Sequence, residues 1–200
     1  MYRTIHPQLW VNRDRKGALL ACAHTPFEGA NAESCIYIEL SALPEGMEIQ
    51  FIQDRLIHAL THVAYAVEDW RIMSAKMREV GTHIAGASAF LKPAQMEEAS
   101  AFFDWLLRNN FIFLGYVAYD FYDTHGKECL SAVAGSELGI FKVNQEELQH
   151  VGLASLPPEV QHFVHQAEPI EITKSNRHSL VHRDVLMDYI GVKRYDANGK

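Results

Sequence analysis

Between Ile49 and Ile84 apolar residues recur at steps of three and four. They are Ile49, Ile52, Leu56, Leu60, Val63, Val67 and Trp70, continued by Met73, Met77, Val80 and Ile84. That period places them on one stripe of an α-helix. The spacing predicts one long amphipathic helix, or two joined near Glu68-Asp69-Trp70. The Met and Trp positions read as core or helix-packing residues rather than cofactor ligands. Thirty-six residues exceed the usual globular helix. The helix is therefore expected to lead out of a first unit and connect it to a second.

The flanks differ in kind. Upstream, Leu9-Trp10-Val11 and Leu19 to Ala23 read as a hairpin around the polar stretch Asn12 to Gly17. Thr25 to Glu33 reads as an exposed loop, and Cys35 to Leu40 as a β-branched, aromatic strand. Downstream, Gly86 to Ala89 reads as a junction. Pro93 suits the first turn of a helix that ends at Asn109-Asn110. Phe111 to Tyr122 is apolar on both faces and predicts a central, doubly covered strand. Asp123 to Gly126 is a turn, Glu128 to Ala134 pairs back, and Leu138 to Val143 is another short strand. A short helix runs from Leu156-Pro157-Pro158 through His165, and Glu171 to Thr173 and Asp188 to Tyr195 are strands. Asn198-Gly199 is a hairpin signal that lacks its second strand, so the chain is expected to be cut from something longer.

Composition narrows the class. The 200 residues are 48% apolar, 22% charged and 10% aromatic, which excludes disorder, collagen and coiled coil. The longest nearly apolar stretch, Phe111 to Tyr119, is too short to span a bilayer, and Met1 to Thr4 leads into no signal-peptide core. Three scattered cysteines, Cys22, Cys35 and Cys129, argue against a disulfide or zinc framework and for a reducing cytoplasmic compartment. A net charge of -7 argues against a nucleic-acid binder. The charge is uneven. Residues 1–92 carry 9 basic and 10 acidic side chains, residues 93–171 carry 3 and 12, and residues 172–200 carry 6 and 3.

The chemistry sought by motif is mostly absent. There is no G-x-G-x-x-G, no Walker G-x-x-x-x-G-K-[ST] and no G-x-S-x-G. His58 and His62 have the one-turn spacing of zinc ligands. They lie about 200° around the helix from Leu56 and Leu60, so they read as solvated histidines on the polar face, and no metal site is expected. His162 and His165 read likewise. The basic segment Ile172 to Arg183 is the candidate site. Lys174, Arg177 and Arg183 have the chemistry to hold a carboxylate or phosphate, with Asn176 and Ser179 adding neutral hydrogen bonds. Two readings stand for it: a solvated loop paired with the acidic segment before it, or an anion or inter-domain site.

Several segments then resemble one family. Asn109-Asn110-Phe111-Ile112-Phe113-Leu114-Gly115-Tyr116 resembles the N-x-F-x-F-L-G-Y segment of the large bacterial NAD-specific glutamate dehydrogenases. Gly135 to Ile140 resembles their G-[ST]-x-L-G-[IL] segment, and Asp188 to Asp196 is similar to their D-Y-I-G-V-K-R-[FY]-D. His6-Pro7 with Asn12-Arg13-Asp14, then Glu33-Ser34 and Val67 to Trp70, follow the same order. Of the family's K-x-N-x-R-S-x-V-H-R-P the chain keeps Lys174, Asn176, Ser179, Val181, His182 and Arg183. It departs at His178, where the family has arginine, and at Asp184, where it has proline.

The resemblance implies an α+β chain of two small α/β modules joined by a long helical segment. Residues 1–86 would be an ACT-like sandwich lacking its first strand and helix, 87–92 a linker, and 93–200 a PAS-like antiparallel sheet with helices, truncated at its last hairpin. It implies a parent that converts glutamate to 2-oxoglutarate with NAD, and a non-catalytic regulatory or oligomerisation fragment with no cofactor of its own. Its expected partners are the parent's other domains and subunits, in a homo-oligomer, and an amino-acid effector; Lys174, Asn176, Arg177, Ser179, His182 and Arg183 are the candidate anion, effector or inter-domain contacts. Neither nucleic acid nor membrane is expected. A purely structural module with no ligand is the alternative. A free-standing enzyme with His182 as base and Arg183 as anion clamp is a third reading, disfavoured because no nucleophile or paired carboxylate converges with them.

Overall fold

A computed structural model describes residues 3–40, 45–87, 91–143, 151–156, 158–181 and 185–195. The chain is α+β and divides into two compact units, Met1–Ile52 and Gln53–Lys200. These bounds differ from the modules 1–86 and 93–200 expected above. All but the first turn of the long helix falls in the second unit, because its C-terminal half contributes to that unit's core.

In the first unit, β1 (Arg3–Ile5) pairs with β5 (Tyr37–Glu39). Strand β2 (Gln8–Arg13) lies between β3 (Leu19–Ala23) and β4 (Asn31–Ser34), both antiparallel to it. The predicted hairpin is β2–β3. Its turn is organised by Asp14, whose Oδ1 accepts the N–H groups of Lys16 and Ala18 at 2.8 and 2.9 Å. The segment read as loop as far as Glu33 ends earlier, since Asn31 to Ser34 forms β4. Asn-Ala-Glu-Ser has little intrinsic strand preference. The pairing comes instead from the backbone of β2, with Arg13 gripping Glu33 through two hydrogen bonds of 2.7 and 2.8 Å.

Helix α1 (Ile49–Gly86) is a single uninterrupted helix of 38 residues. The predicted single stripe resolves into two. Ala66, Met73, Met77, Val80 and Ile84 are buried, whereas Leu56, Leu60, Val67 and Trp70 are each more than half exposed. At 100° per residue the two sets are centred about 100° apart. Trp70 is accordingly a surface residue, with the Arg71 guanidinium 5.4 Å above its ring, and not the core residue expected.

The core of the second unit lies where α1 meets α2 (Pro93–Trp105). Met77, Val80, Ile84, Ala87, Leu91, Ala99, Phe103 and Leu106 form it. The helices approach closely at Gly81, where an added Cβ would sit 3.2 Å from Phe103. After Trp105 the helix widens into a π-turn, Leu106–Asn110, closed by Asn110 donating from Nδ2 to the Trp105 carbonyl at 2.7 Å.

The continuous strand expected over Phe111 to Tyr122 does not form. Two strands occur instead, β6 (Gly115–Tyr116) and β7 (Tyr119–Thr124), in different sheets. The break is held by Ser136, whose Oγ accepts the Ala118 N–H at 3.0 Å, and by Val133 N–H donating to Ala118 O at 2.9 Å. Strand β7 pairs with β8 (Lys127–Ala132) across a turn in which Asp123 Oδ1 caps the Gly126 N–H at 2.7 Å. Strand β9 (Leu138–Gly139) pairs with β6 and passes at once into a 3-10 turn, Ile140–Lys142, so the strand read as far as Val143 is only two residues long. Strand β10 (Val151–Gly152) edges β8, helix α3 (Pro158–His165) follows, and β11 (Ile170–His178) pairs with β12 (Leu186–Val192). The Asn198-Gly199 signal lies outside the described residues. Among the described residues no helix is long and apolar enough to cross a membrane.

Candidate functional site

The basic segment read from sequence is mostly strand. Its first half belongs to β11, in register with β12: Thr173 faces Tyr189, Lys174 faces Asp188 and His178 faces Leu186. Between Lys174 and His178 the register shifts, so that Ser175-Asn176-Arg177 bulges opposite the single residue Met187. The Ser175 hydroxyl organises the bulge, accepting the Arg177 N–H and donating to the Arg177 carbonyl, both at 3.1 Å. Ser179 is buried, and its Oγ accepts the Val181 N–H at 3.2 Å, starting the turn toward β12.

This geometry separates the candidate residues. Lys174 Nζ lies 2.5 Å from Asp188 Oδ1 across the ladder and forms an exposed ion pair there. Ser179 serves the backbone. Asn176 lies in the bulge, and His182 and Arg183 lie outside the described residues. Arg177 lines an open cleft together with residues of α1, β7, α3 and β12.

Sequence reasoning missed other groups that line this cleft with Arg177. His62 comes from α1, Tyr119 from β7 and Tyr189 from β12. The sequence pattern puts the histidines on the polar face by making Leu56 and Leu60 inward. The inward face is instead the one carrying Ala66, Met73 and Met77, and His62 belongs to it. His62 is half-buried, its Nε2 has no hydrogen-bond partner, and its ring lies 4.4 Å from that of the exposed His58. Burial, then the nearby His58 and Arg177, hold the His62 imidazole below its ordinary pKa. Burial, then Tyr189 and Glu137, push the Tyr119 phenol up to about 12 against the opposing pull of Arg177. Burial raises Tyr189 as well. Both phenols are thus protonated donors at neutral pH.

The floor of the cleft is tied to α1 by Asp69, whose surface is 2% exposed. Its Oδ2 accepts the Gly139 N–H at 2.8 Å, and Lys142 Nζ donates to Oδ1 at 2.8 Å. Burial alone would raise the Asp69 carboxyl. The hydrogen bonds from Gly139 and Lys142 outweigh it and hold the group below the usual carboxylate range. Gly139 adopts φ 61°, ψ -133°, and an added Cβ would lie 2.2 Å from the Leu114 carbonyl oxygen. The backbone that delivers its N–H to Asp69 therefore needs glycine. Ile140 and Phe141, the next residues, line the cleft. No cluster of three or more metal-ligating side chains occurs among the described residues.

Comparison with known proteins gives relatives of one kind. Over 169 residues, 84% of its length, the chain is 34% identical to an NAD-specific glutamate dehydrogenase of Halomonas elongata. Over 198 residues it is 26% identical to an NAD-specific glutamate dehydrogenase of Pseudomonas aeruginosa. The chain spans about a tenth of the length of these curated relatives: 10% of the first and 12% of the second. No family model and no solved structure matches it. Most of the chain is thus homologous to one short stretch of large proteins.

Proposed function

We infer that the chain is a non-catalytic regulatory or assembly segment of a large NAD-specific glutamate dehydrogenase. The parent reaction would be oxidation of L-glutamate by NAD+ with water to 2-oxoglutarate, ammonia and NADH, in the cytoplasm. NAD would serve the parent and not this segment. The observation that carries the reading is the 34% identity over 84% of the chain, set against only 10% of the relative. Neither dinucleotide fingerprint nor Walker motif occurs in the sequence, which agrees with hydride transfer being done elsewhere in the parent. The long helix and the two sets of short antiparallel strands are compatible with an ACT-like module followed by a PAS-like one.

Two roles follow from different surfaces. An effector role is supported by the open cleft that Arg177 lines together with Tyr119 and Tyr189, both phenols raised in pKa by burial. Regulation would then be a difference in effector affinity between two arrangements of the subunits. An assembly role is supported by exposed apolar residues, Leu56, Leu60 and Val67 on α1 and Leu19 and Leu20 on β3, each more than half exposed. Glutamate-dependent NADH formation by the purified chain tests the non-catalytic reading. None is expected, and turnover by pure chain would overturn it.

A further inference from the structure

Helix α1 carries an apolar seam that faces outward. Gln53, Leu56, Leu60, Val63, Val67 and Trp70 follow one another at steps of 3, 4, 3, 4 and 3. That is the spacing with which one helix packs along another, two residues in every seven. Leu56, Leu60, Val67 and Trp70 are 52–63% exposed, and Val63 is half-buried. One flank of the seam is open and carries Ile57, Ala64 and Arg71, all exposed. The other flank, with Ala66 and Met73, is buried within the chain.

The spacing gives the shape of the occupant, and the order of the residues gives its identity. A stripe this narrow fits a second helix. Read from either end, the seam has the same steps. A second copy of α1 running antiparallel therefore meets it in register. Leu60 then faces Val63, Leu56 faces Val67 and Gln53 faces Trp70, and each layer occurs twice about a two-fold axis. Every layer sets a larger side chain against a smaller one, so the layers interdigitate. The Gln53 amide oxygen can accept the Trp70 indole N–H of the second copy. A parallel pair would instead set Trp70 against Trp70 and bring both Arg71 charges to one level. Antiparallel order holds those charges about 28 Å apart along the axis, well beyond a Debye length of about 8 Å.

The area agrees with a reversible pair. Half-exposed side chains of this size each offer about 100 Å². Leu56, Ile57, Leu60, Val67 and Trp70 of two copies thus amount to about 1,000 Å², the lower limit for a specific interface.

We propose that α1 of one chain packs antiparallel on α1 of a second copy, with Leu56, Leu60, Val63, Val67 and Trp70 as the shared seam. This deepens the assembly role above and rests on it. It gives that role a two-fold geometry in which the same surface is used by both copies.

The test is sedimentation of the purified chain over a wide micromolar range, with circular dichroism to check that each variant folds. A reversible monomer–dimer equilibrium is expected. Leu56→Glu and Val67→Lys should each weaken it about tenfold or more, because each buries a charge without a partner. Mixing these two variants should restore a dimer. Positions 56 and 67 face each other in the antiparallel pair but lie about 16 Å apart in a parallel one. Leu20→Lys, on the exposed face of β3, should leave the equilibrium unchanged. A chain that stays monomeric, a dimer indifferent to Leu56 and Val67, or a mixture of the two variants that stays monomeric would each overturn the proposal. Association removed by Leu20→Lys and spared by Leu56→Glu would overturn the seam and leave the assembly role standing on another surface. A monomeric chain without turnover would leave the effector role. Turnover by the chain would instead remove the reading on which both roles rest.

Discussion

At Asp69 a buried carboxylate joins the middle of a long helix to the junction of β9 and the 3-10 turn after it, and the two groups it binds explain why it is tolerated there. Removing one partner of a buried, hydrogen-bonded ion pair typically costs about 3–5 kcal/mol, because the other charge is left unpaired. Asp69→Asn keeps the shape and loses the charge, so we expect a loss near 3 kcal/mol in urea unfolding. The effect should depend on pH in a fixed direction. The folded carboxyl is depressed below its ordinary range. Its stabilisation is therefore complete above the unfolded carboxylate pKa and is lost as pH falls through the folded one. The gap between the natural chain and Asp69→Asn should shrink in acid, and a gap that stays constant to strongly acidic pH would contradict this assignment. Gly139→Ala should be at least as severe, about 3 kcal/mol or more, combining strain at a glycine-only conformation with a collision against Leu114 O. Neither role was legible in sequence. Asp69 lies in the segment where the pattern permits a break in the helix, and Gly139 lies in a segment that resembles the family without revealing a role. Both depend on a contact across seventy positions of chain that no local pattern encodes.

Among the elements, α1 shows where pattern reading succeeds and where it stops. A period of three and four correctly gives a helix and its length, since any face that is apolar somewhere carries that period. It cannot say which face is inward at which turn. Here the inward face runs through Ala66, Asp69 and Met73, while Leu56, Leu60 and Val67 point away from it. Placing His62 with solvent followed from that single misassignment. The broken strand at Val117-Ala118 has a similar origin. Apolarity on both faces marked the segment as buried strand, but Ser136 takes the Ala118 N–H out of any ladder. The exposed stripe yields its own prediction. Leu60→Lys should alter the unfolding free energy of the chain by less than about 0.5 kcal/mol, as for a surface site. Under the assembly role it should also weaken self-association in sedimentation. A large loss of stability would show that Leu60 is packed within the chain.

For the molecule as a whole, composition and motif absence excluded more than they identified, and the order of several short segments pointed to the family that the relatives bear out. The mixture of helix and strand was likewise legible, because a stripe at steps of three and four and short β-branched, aromatic runs are local signals, and the resemblance implied the α+β class. The division at Ile52 was not, since it depends on which unit the long helix packs against. The candidate site was half legible. Arg177 carries a charge that composition exposes, while its companions are aromatic and imidazole groups brought together only by folding. The most direct test of the non-catalytic account is made in a complete enzyme. The stretch matching this chain would be deleted from the Halomonas elongata relative. Its kcat at saturating glutamate and NAD+, its oligomeric mass and its response to amino acids would then be measured together. We predict that kcat is retained within about tenfold while the mass or the amino-acid response is lost. A folded, normally assembled deletion protein with no dehydrogenase chemistry would contradict the account, because it would place groups essential to hydride transfer in this segment.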